Sequence, residues 1–163
     1  ASYNKLGDVS VSQSMHSEAR KFYDNGLEIA RALVDMDPTD TESQRNLSIS
    51  YNKLGDACAG QGQFSEAQKF FGDALATAHR LADDDPTNAD AQRDVMVNHY
   101  KLGKISAASE NYSDAIDEYE AAVRVLERMI AAKMLVEPSK NEINLLKQEI
   151  ARCDAFQKRR LRP

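Results

Sequence analysis

The segment Ser2-Tyr3-Asn4-Lys5-Leu6-Gly7-Asp8 recurs letter for letter as Ser50 through Asp56, and an equal step beyond that lands on His99-Tyr100-Lys101-Leu102-Gly103. The step is 50 − 2 = 48 residues. It carries Ser17-Glu18-Ala19 to Ser65-Glu66-Ala67 and on to Ser113-Asp114-Ala115. It also carries Asp37-Pro38-Thr39 to Asp85-Pro86-Thr87, and Gln44-Arg45 to Gln92-Arg93. A fixed period of this length constrains the fold before any local propensity does. Each unit must be one supersecondary element whose apolar face is covered by its neighbours.

Inside each unit the apolar spacing is helical. Ala67, Phe71, Ala74, Ala78 and Leu81 follow at three- and four-residue steps, the stripe of an amphipathic helix. Ala19, Tyr23, Gly26, Ala30 and Leu33 hold the same places in the first unit, and Ala115, Tyr119, Ala122, Leu126 and Met129 in the third. The other helix of a unit carries Ile49, Tyr51, Leu54 and Gly55, or Val97, His99, Leu102 and Gly103. Thr39 with Glu42, and Thr87 with Asp90, have capping-box spacing, and the Asp-Pro ahead of each Thr stops the preceding helix. Helices are therefore expected over about 1–13, 16–35, 40–60, 64–83, 88–108 and 112–135, joined by short polar turns such as Gly60-Gln61-Gly62-Gln63. A last helix over about 139–158 follows Pro138, with Ser139 and Glu142 as its capping box. Its stripe, Ile143, Leu146, Ile150 and Cys153, matches neither helix of the repeat, and we read it as the terminal cap of an array. The expected fold is all-α, an α-solenoid of three helix-turn-helix units (about 1–38, 39–86 and 87–136) with a capping helix, in one array over 1–163.

Composition narrows the function classes. The 163 residues carry a net charge of −5, the wrong sign for a domain that works by neutralising phosphates. Lys158, Arg159, Arg160 and Arg162 form one basic tail, read as solvated. No run of apolar residues is long enough to span a bilayer, and no basic segment followed by an apolar run opens the chain. Nucleic acid and membrane are thus not expected as partners. Cys58 and Cys153 lack metal or redox spacing and are read as buried thiols, with a reducing, cytoplasmic setting.

At matching offsets stand Tyr51, Leu54, Gly55, Ala67 and Phe71; Tyr3, Leu6, Gly7, Ala19 and Tyr23; and His99, Leu102, Gly103, Ala115 and Tyr119. This pattern resembles the tetratricopeptide repeat over three units, about residues 1–136. Ser10, Cys58 and Ser106 replace the second aromatic of the signature, and the period of 48 exceeds the usual 34. Both helices of a unit must therefore be longer than standard, as in the repeats of kinesin light chains and of bacterial multidomain signalling proteins. A mid-helix glycine costs about 1 kcal/mol relative to alanine. Its recurrence predicts close helix approach, with Ala19, Ala67 and Ala115 as the small facing partners.

No catalytic constellation is legible. His16 and His99 fall where other units carry Phe64 or Tyr112, and Tyr3 or Tyr51, and read as packing rings with a polar edge; His79 lies near a helix end. No phosphate-binding glycine loop, nucleophile elbow or metal spacing is present. Asp83-Asp84-Asp85 reads as a solvated turn. Neither an enzyme nor a cofactor or metal requirement is expected.

The resemblance implies instead a protein-interaction scaffold whose first helices line a concave groove for a partner protein or peptide. The groove candidates are Asn4, Lys5, Asp8, Asn52, Lys53, Asp56, Tyr100, Lys101 and Lys104. The clamp that chaperone-binding relatives use for a carboxylate is not matched, since Lys101 alone fits and Asp8 would repel the anion. The alternative is a spacer or self-association module within a larger protein.

The helices at 40–60 and 88–108 lead into their Tyr/His-x-x-Leu-Gly with a cap, Gln-Arg and an apolar pair, a lead whose counterpart would lie ahead of Ala1. The chain is accordingly expected to be part of a longer array, with self-association through its open first face. If the last helix is a cap, deleting residues 138–163 should expose the apolar side of the helix at 112–135 and drive association, visible by light scattering. A truncated chain that stays monomeric with an unchanged Tm would show that the helix caps nothing.

Overall fold

A computed structural model describes residues 3–12, 16–135 and 139–160, the side chains at 12, 16, 17, 139 and 140 excepted. The expectations for His16, Pro138, the Ser139 cap and Arg162 concern groups outside that set. Seven helices are described: α1 Tyr3–Ser12, α2 His16–Met36, α3 Thr41–Gly60, α4 Phe64–Asp84, α5 Ala89–Ala108, α6 Tyr112–Ala131 and α7 Ser139–Arg160. They match the sequence expectation in number and, within a few residues, in extent. The described residues contain no strand.

The helix ends show why the chain turns where it does. Gly62, Glu110 and Lys133 adopt left-handed φ of 73°, 61° and 55°. After each, the next amide reaches back five residues: Gln63 N–H to Cys58, Asn111 to Ser106 and Met134 to Met129, at 2.8–2.9 Å. This is the Schellman closure, which satisfies the last helical carbonyls. Only the first of the three uses glycine. Glu110 is held instead by Arg160, which donates to its carbonyl at 3.2 Å and pairs with its carboxylate at 3.1 Å.

The starts correct one expectation. Thr39 and Thr87 do not cap. Each donates its amide (3.0 Å) and hydroxyl (2.7 Å) to the preceding Asp37 or Asp85 carboxylate, closing a local turn around the proline. The caps are one residue later: Asp40 accepts from the amides of Glu42 and Ser43, and Asn88 from Ala91 at 3.1 Å. The aspartate two residues earlier takes the threonine hydroxyl first, and Asp or Asn caps at least as well as Thr.

The chain forms two compact units, residues 1–77 and 78–163. In the first, α1 packs on α2 and α2 on α3, around Ala19, Tyr23, Leu27, Ala30, Leu47 and Leu54. In the second, α5 packs on α6 and α6 on α7, burying Val95, Leu102, Tyr119, Leu126, Met129, Leu146 and Cys153. Most of the predicted stripes are buried, but Leu33 and Ile49 are exposed, and Leu27 and Leu47 take their place inside.

The recurring glycine has a specific neighbour. A Cβ built on Gly103 would lie 2.7 Å from the Tyr119 ring, and on Gly7 and Gly55 it would lie closer still to Tyr23 and Phe71. The ring occupies the place of the missing side chain. Ala19, Ala67 and Ala115 are fully buried, yet the close partner is the aromatic four residues further along. Gly72, mid-way along α4, has open space in front of it. Gly72→Ala should therefore raise stability by about 0.5–1 kcal/mol through helix propensity. Gly55→Ala should lose about 1–3 kcal/mol through overpacking against Phe71, less the same propensity gain. Urea unfolding of the pair checks the assignment, and equal shifts in one direction would sink it.

Candidate functional site

Each compact unit carries a cleft between two helices that hold the same place in the repeat. In the first unit α1 gives Asp8 and Val11, α3 gives Lys53, Asp56 and Ala57, and α2 supplies Ala19 and Tyr23 beneath; the cleft holds about 310 Å³. In the second, α5 gives Tyr100 and Lys104, α7 gives Glu149, Arg152 and Phe156, and α6 supplies Tyr112 and Tyr119; the volume is about 410 Å³.

The two clefts are equivalent position by position. Adding 2 × 48 = 96 takes Asp8 to Lys104, Tyr23 to Tyr119, Lys53 to Glu149, Asp56 to Arg152 and Ala57 to Cys153. The last helix thus lies in register with the first helix of a repeat, which its letters did not show. Only the inward positions needed to match for it to pack there, and Leu146 and Cys153 are buried. All three rim charges are reversed between the clefts.

The first cleft is internally bonded. Tyr23 Oη donates to Asp8 Oδ1 at 2.7 Å, and Lys53 Nζ donates to the same oxygen at 2.7 Å. Burial alone would raise the Asp8 carboxyl, but hydrogen bonds from Lys53 and then Tyr23 outweigh it and hold the group below its ordinary value. Tyr23 is pushed upward by burial and by the Asp8 and Asp56 carboxylates. Beside the cleft, Arg20 grips Glu66 at 2.6 Å and Gln63 at 2.7 Å.

In the second cleft Arg152 pairs only loosely with Glu149, at 4.0 Å along α7, and the basic groups lie over the aromatic floor. Lys104 Nζ sits 5.7 Å from the Tyr100 ring centre, and Arg152 lies 5.8 Å from that of Phe156. Phe156 stacks on Tyr112 at 5.5 Å, and Tyr100 tilts against Tyr119 at 6.0 Å. Cations held over rings stay available to an incoming anion.

Of the nine residues singled out from the sequence, Asp8, Lys53 and Asp56 line the first cleft, and Tyr100 and Lys104 the second. Asn4 and Asn52 face inward: Asn4 donates to Ser50 Oγ at 3.3 Å and Asn52 to the Ser48 carbonyl at 3.2 Å. Lys5 is exposed and Lys101 half-buried, outside either lining. Tyr23, Glu149, Arg152 and Phe156 were missed. Tyr23 reads as core, and α7 shares no letters with the repeat that would have placed its side chains beside Lys104.

His99 is a packing ring with a polar edge, as its register implied. Its ring meets His79 edge-on at 5.6 Å, and Nδ1 lies 2.7 Å from Glu118. Among the described residues no group of three His, Cys, Asp or Glu could hold a metal. No described helix is long and apolar enough to cross a membrane.

Residues 47–87 match the tetratricopeptide repeat family. The fold resembles the crystal structure of BtubC (BKLC) from P. vanneervenii, with a TM-score of 0.60 and 14% identity over 99% of this chain. The chain spans 65% of the length of that structure. A crystal structure of MamA protein matches at 19% identity over 96% of this chain and 86% of its own, with a TM-score of 0.37. No curated protein matches the sequence. Residues 47–87 thus carry a tetratricopeptide repeat, and the fold class of the chain is the all-α solenoid of helix-turn-helix units. That family is generally a non-enzymatic scaffold.

Both cysteines are free and buried. Burial pushes the Cys58 thiol up to about 11, with Glu66 adding to the rise and Arg20 opposing it; burial and Glu149 raise Cys153 against Arg152. At pH 8 an aromatic disulfide reagent should therefore label the native thiols about 100-fold or more slowly than the denatured ones. Fast native labelling of either would contradict the buried placement.

Proposed function

We propose that this protein-interaction repeat module holds extended or helical segments of a partner on the faces of its first-type helices, each cleft serving as an anchor point within its own unit. The observation that carries the reading is the position-by-position equivalence of the clefts combined with reversal of their rim charges. A segment bound in the first cleft would place a basic or hydrogen-bonding group near Asp8 and Asp56. One bound in the second would place an acidic group near Lys104 and Arg152, with an apolar side chain on Tyr100 and Phe156. Charge complementarity of this kind sets specificity more than affinity. A cytoplasmic setting belongs to the same proposal.

A spacer role draws on a different observation. Asp8 is already bonded to both Tyr23 and Lys53, which leaves the first cleft less to offer a ligand.

The test is selection of peptide ligands from a random display library against the whole chain. Selected peptides should lose at least about tenfold in affinity against Tyr100→Ala and Lys104→Glu, the loss of one aromatic anchor or charge pair. Circular dichroism would confirm that both variants keep the fold. Failure to select ligands, or ligands indifferent to both substitutions, would favour the spacer.

A further inference from the structure

Helix α7 runs one turn longer than the repeat helices whose register it shares. α3 ends at Gly60 and α5 at Ala108, and the same place on α7 is Phe156, yet α7 continues to Arg160. The extra turn, Gln157 to Arg160, holds most of the basic run that reads from the sequence as solvated. Lys158 turns back onto its own helix and donates to Asp154 at 2.6 Å. Arg160 reaches off the helix instead, donating to the Glu110 carbonyl at 3.2 Å and pairing with the Glu110 carboxylate at 3.1 Å.

The residue that Arg160 meets is out of keeping with its place. Glu110 stands one repeat beyond Gly62, in the same left-handed turn, with φ of 61° against 73°. A side chain is disfavoured in that conformation, and glycine is not. Backbone strain of this kind persists where the surroundings hold it, and it points toward a clamp or a site. Stability does not account for the exchange. The Glu110 and Arg160 side chains are 62% and 60% exposed, and exposed ion pairs add little net stability. What the pair supplies is position. Beyond Cys153 no described residue of α7 is buried, so apolar packing leaves the end of the helix unfixed. Arg152, Phe156 and Arg160 follow at four-residue steps and share a face. Tying down Arg160 therefore sets Phe156 on Tyr112, with ring centres 5.5 Å apart and planes within 18°, and Arg152 in turn over Phe156. Tyr112 lines both the second cleft and a cavity of about 370 Å³ that Glu110 and Arg160 border.

We propose that Glu110 and Arg160 are positioning residues of the second cleft: their pair latches the last turn of α7 onto the α5–α6 turn and so holds Phe156 and Arg152 over the ring floor beside Lys104. The cleft then has one wall fixed by the core, α5 with Tyr100 and Lys104, and one wall held by the latch. Neither latch residue lines the cleft itself, so a change of charge at either one acts on a ligand only through α7. The consequence for a ligand rests on the reading of this cleft as an anchor point; the position of Phe156 does not.

The chain has no tryptophan, so Phe156→Trp places a single emission signal at the stack, and circular dichroism checks that the fold is kept. In that background Arg160→Glu should raise acrylamide quenching about twofold or more, as the end of α7 opens locally. The exchanged pair, Glu110→Arg with Arg160→Glu, should bring quenching back. Glu110→Gly separates position from stability. Its Tm should hold or rise, because glycine suits the left-handed turn, while quenching increases because only the carbonyl bond to Arg160 is left. Peptides selected against the intact chain should lose about threefold or more in affinity for Arg160→Glu and regain it with the exchanged pair. Unchanged quenching in both single variants would overturn the proposal, as would a rise that the exchange does not reverse. Quenching needs no ligand: the expected pattern in the absence of any selected peptide would uphold the latch and remove only the anchor reading.

Discussion

Everything in the two units is spaced by one contact, an aromatic ring laid where a glycine has no side chain. Tyr23 on Gly7, Phe71 on Gly55 and Tyr119 on Gly103 each bring a pair of antiparallel helices closer than any Cβ would permit. The glycine is unfavourable for its own helix by about 1 kcal/mol, but the buried ring returns more than that through area and close contact. Once the pair is set, the positions on either side follow. The neighbouring ring one residue earlier, Phe22 or Phe70, tilts on Tyr3 or Tyr51. In the third unit the same register carries Glu118 and His99, and an ionisable contact at 2.7 Å replaces the ring pair. The geometry is kept while its chemistry changes.

The same contact explains the clefts. Holding Tyr23 or Tyr119 against a first-type helix places the ring at the bottom of the space between two such helices, with its hydroxyl end toward the rim. In the first unit that hydroxyl donates to Asp8, and Lys53 donates to the same carboxylate oxygen. In the second the corresponding rim residues are Lys104 and Glu149, and the floor is widened by Tyr112 and Phe156. A repeat so built can vary its rim without disturbing its packing, because the rim residues contribute little to the core.

Much of the fold was legible because helical stripes and breaker positions are local properties repeated three times over. Ala67, Phe71, Ala74, Ala78 and Leu81 were read as one buried face, and all five are buried. The errors have a common origin in competition between neighbours. Thr39 had the spacing of a cap, but Asp37 claims its hydroxyl and Asp40 stands next in line. Leu33 and Ile49 had the periodicity of core residues, yet periodicity states only that a face exists and not that another helix lies on it. Of the site, Asp8, Lys53, Asp56, Tyr100 and Lys104 could be named from register alone. Asn4 and Asn52, their neighbours in sequence, spend their amides inside the helix pair.

The sequence by itself determined the helices, the turn positions, the period and the recurring glycine, since each depends on backbone preference or on the fixed step of the repeat. Tertiary structure alone decided that α7 takes the register of a repeat helix, that Glu149, Arg152 and Phe156 complete a cleft with Tyr100 and Lys104, and that Leu33 on α2 is exposed. Those outcomes depend on which helix lies against which face. Two amphipathic helices with different letters can present the same inward surface, so their placement is settled by the volume and area they fill and not by the residues they share.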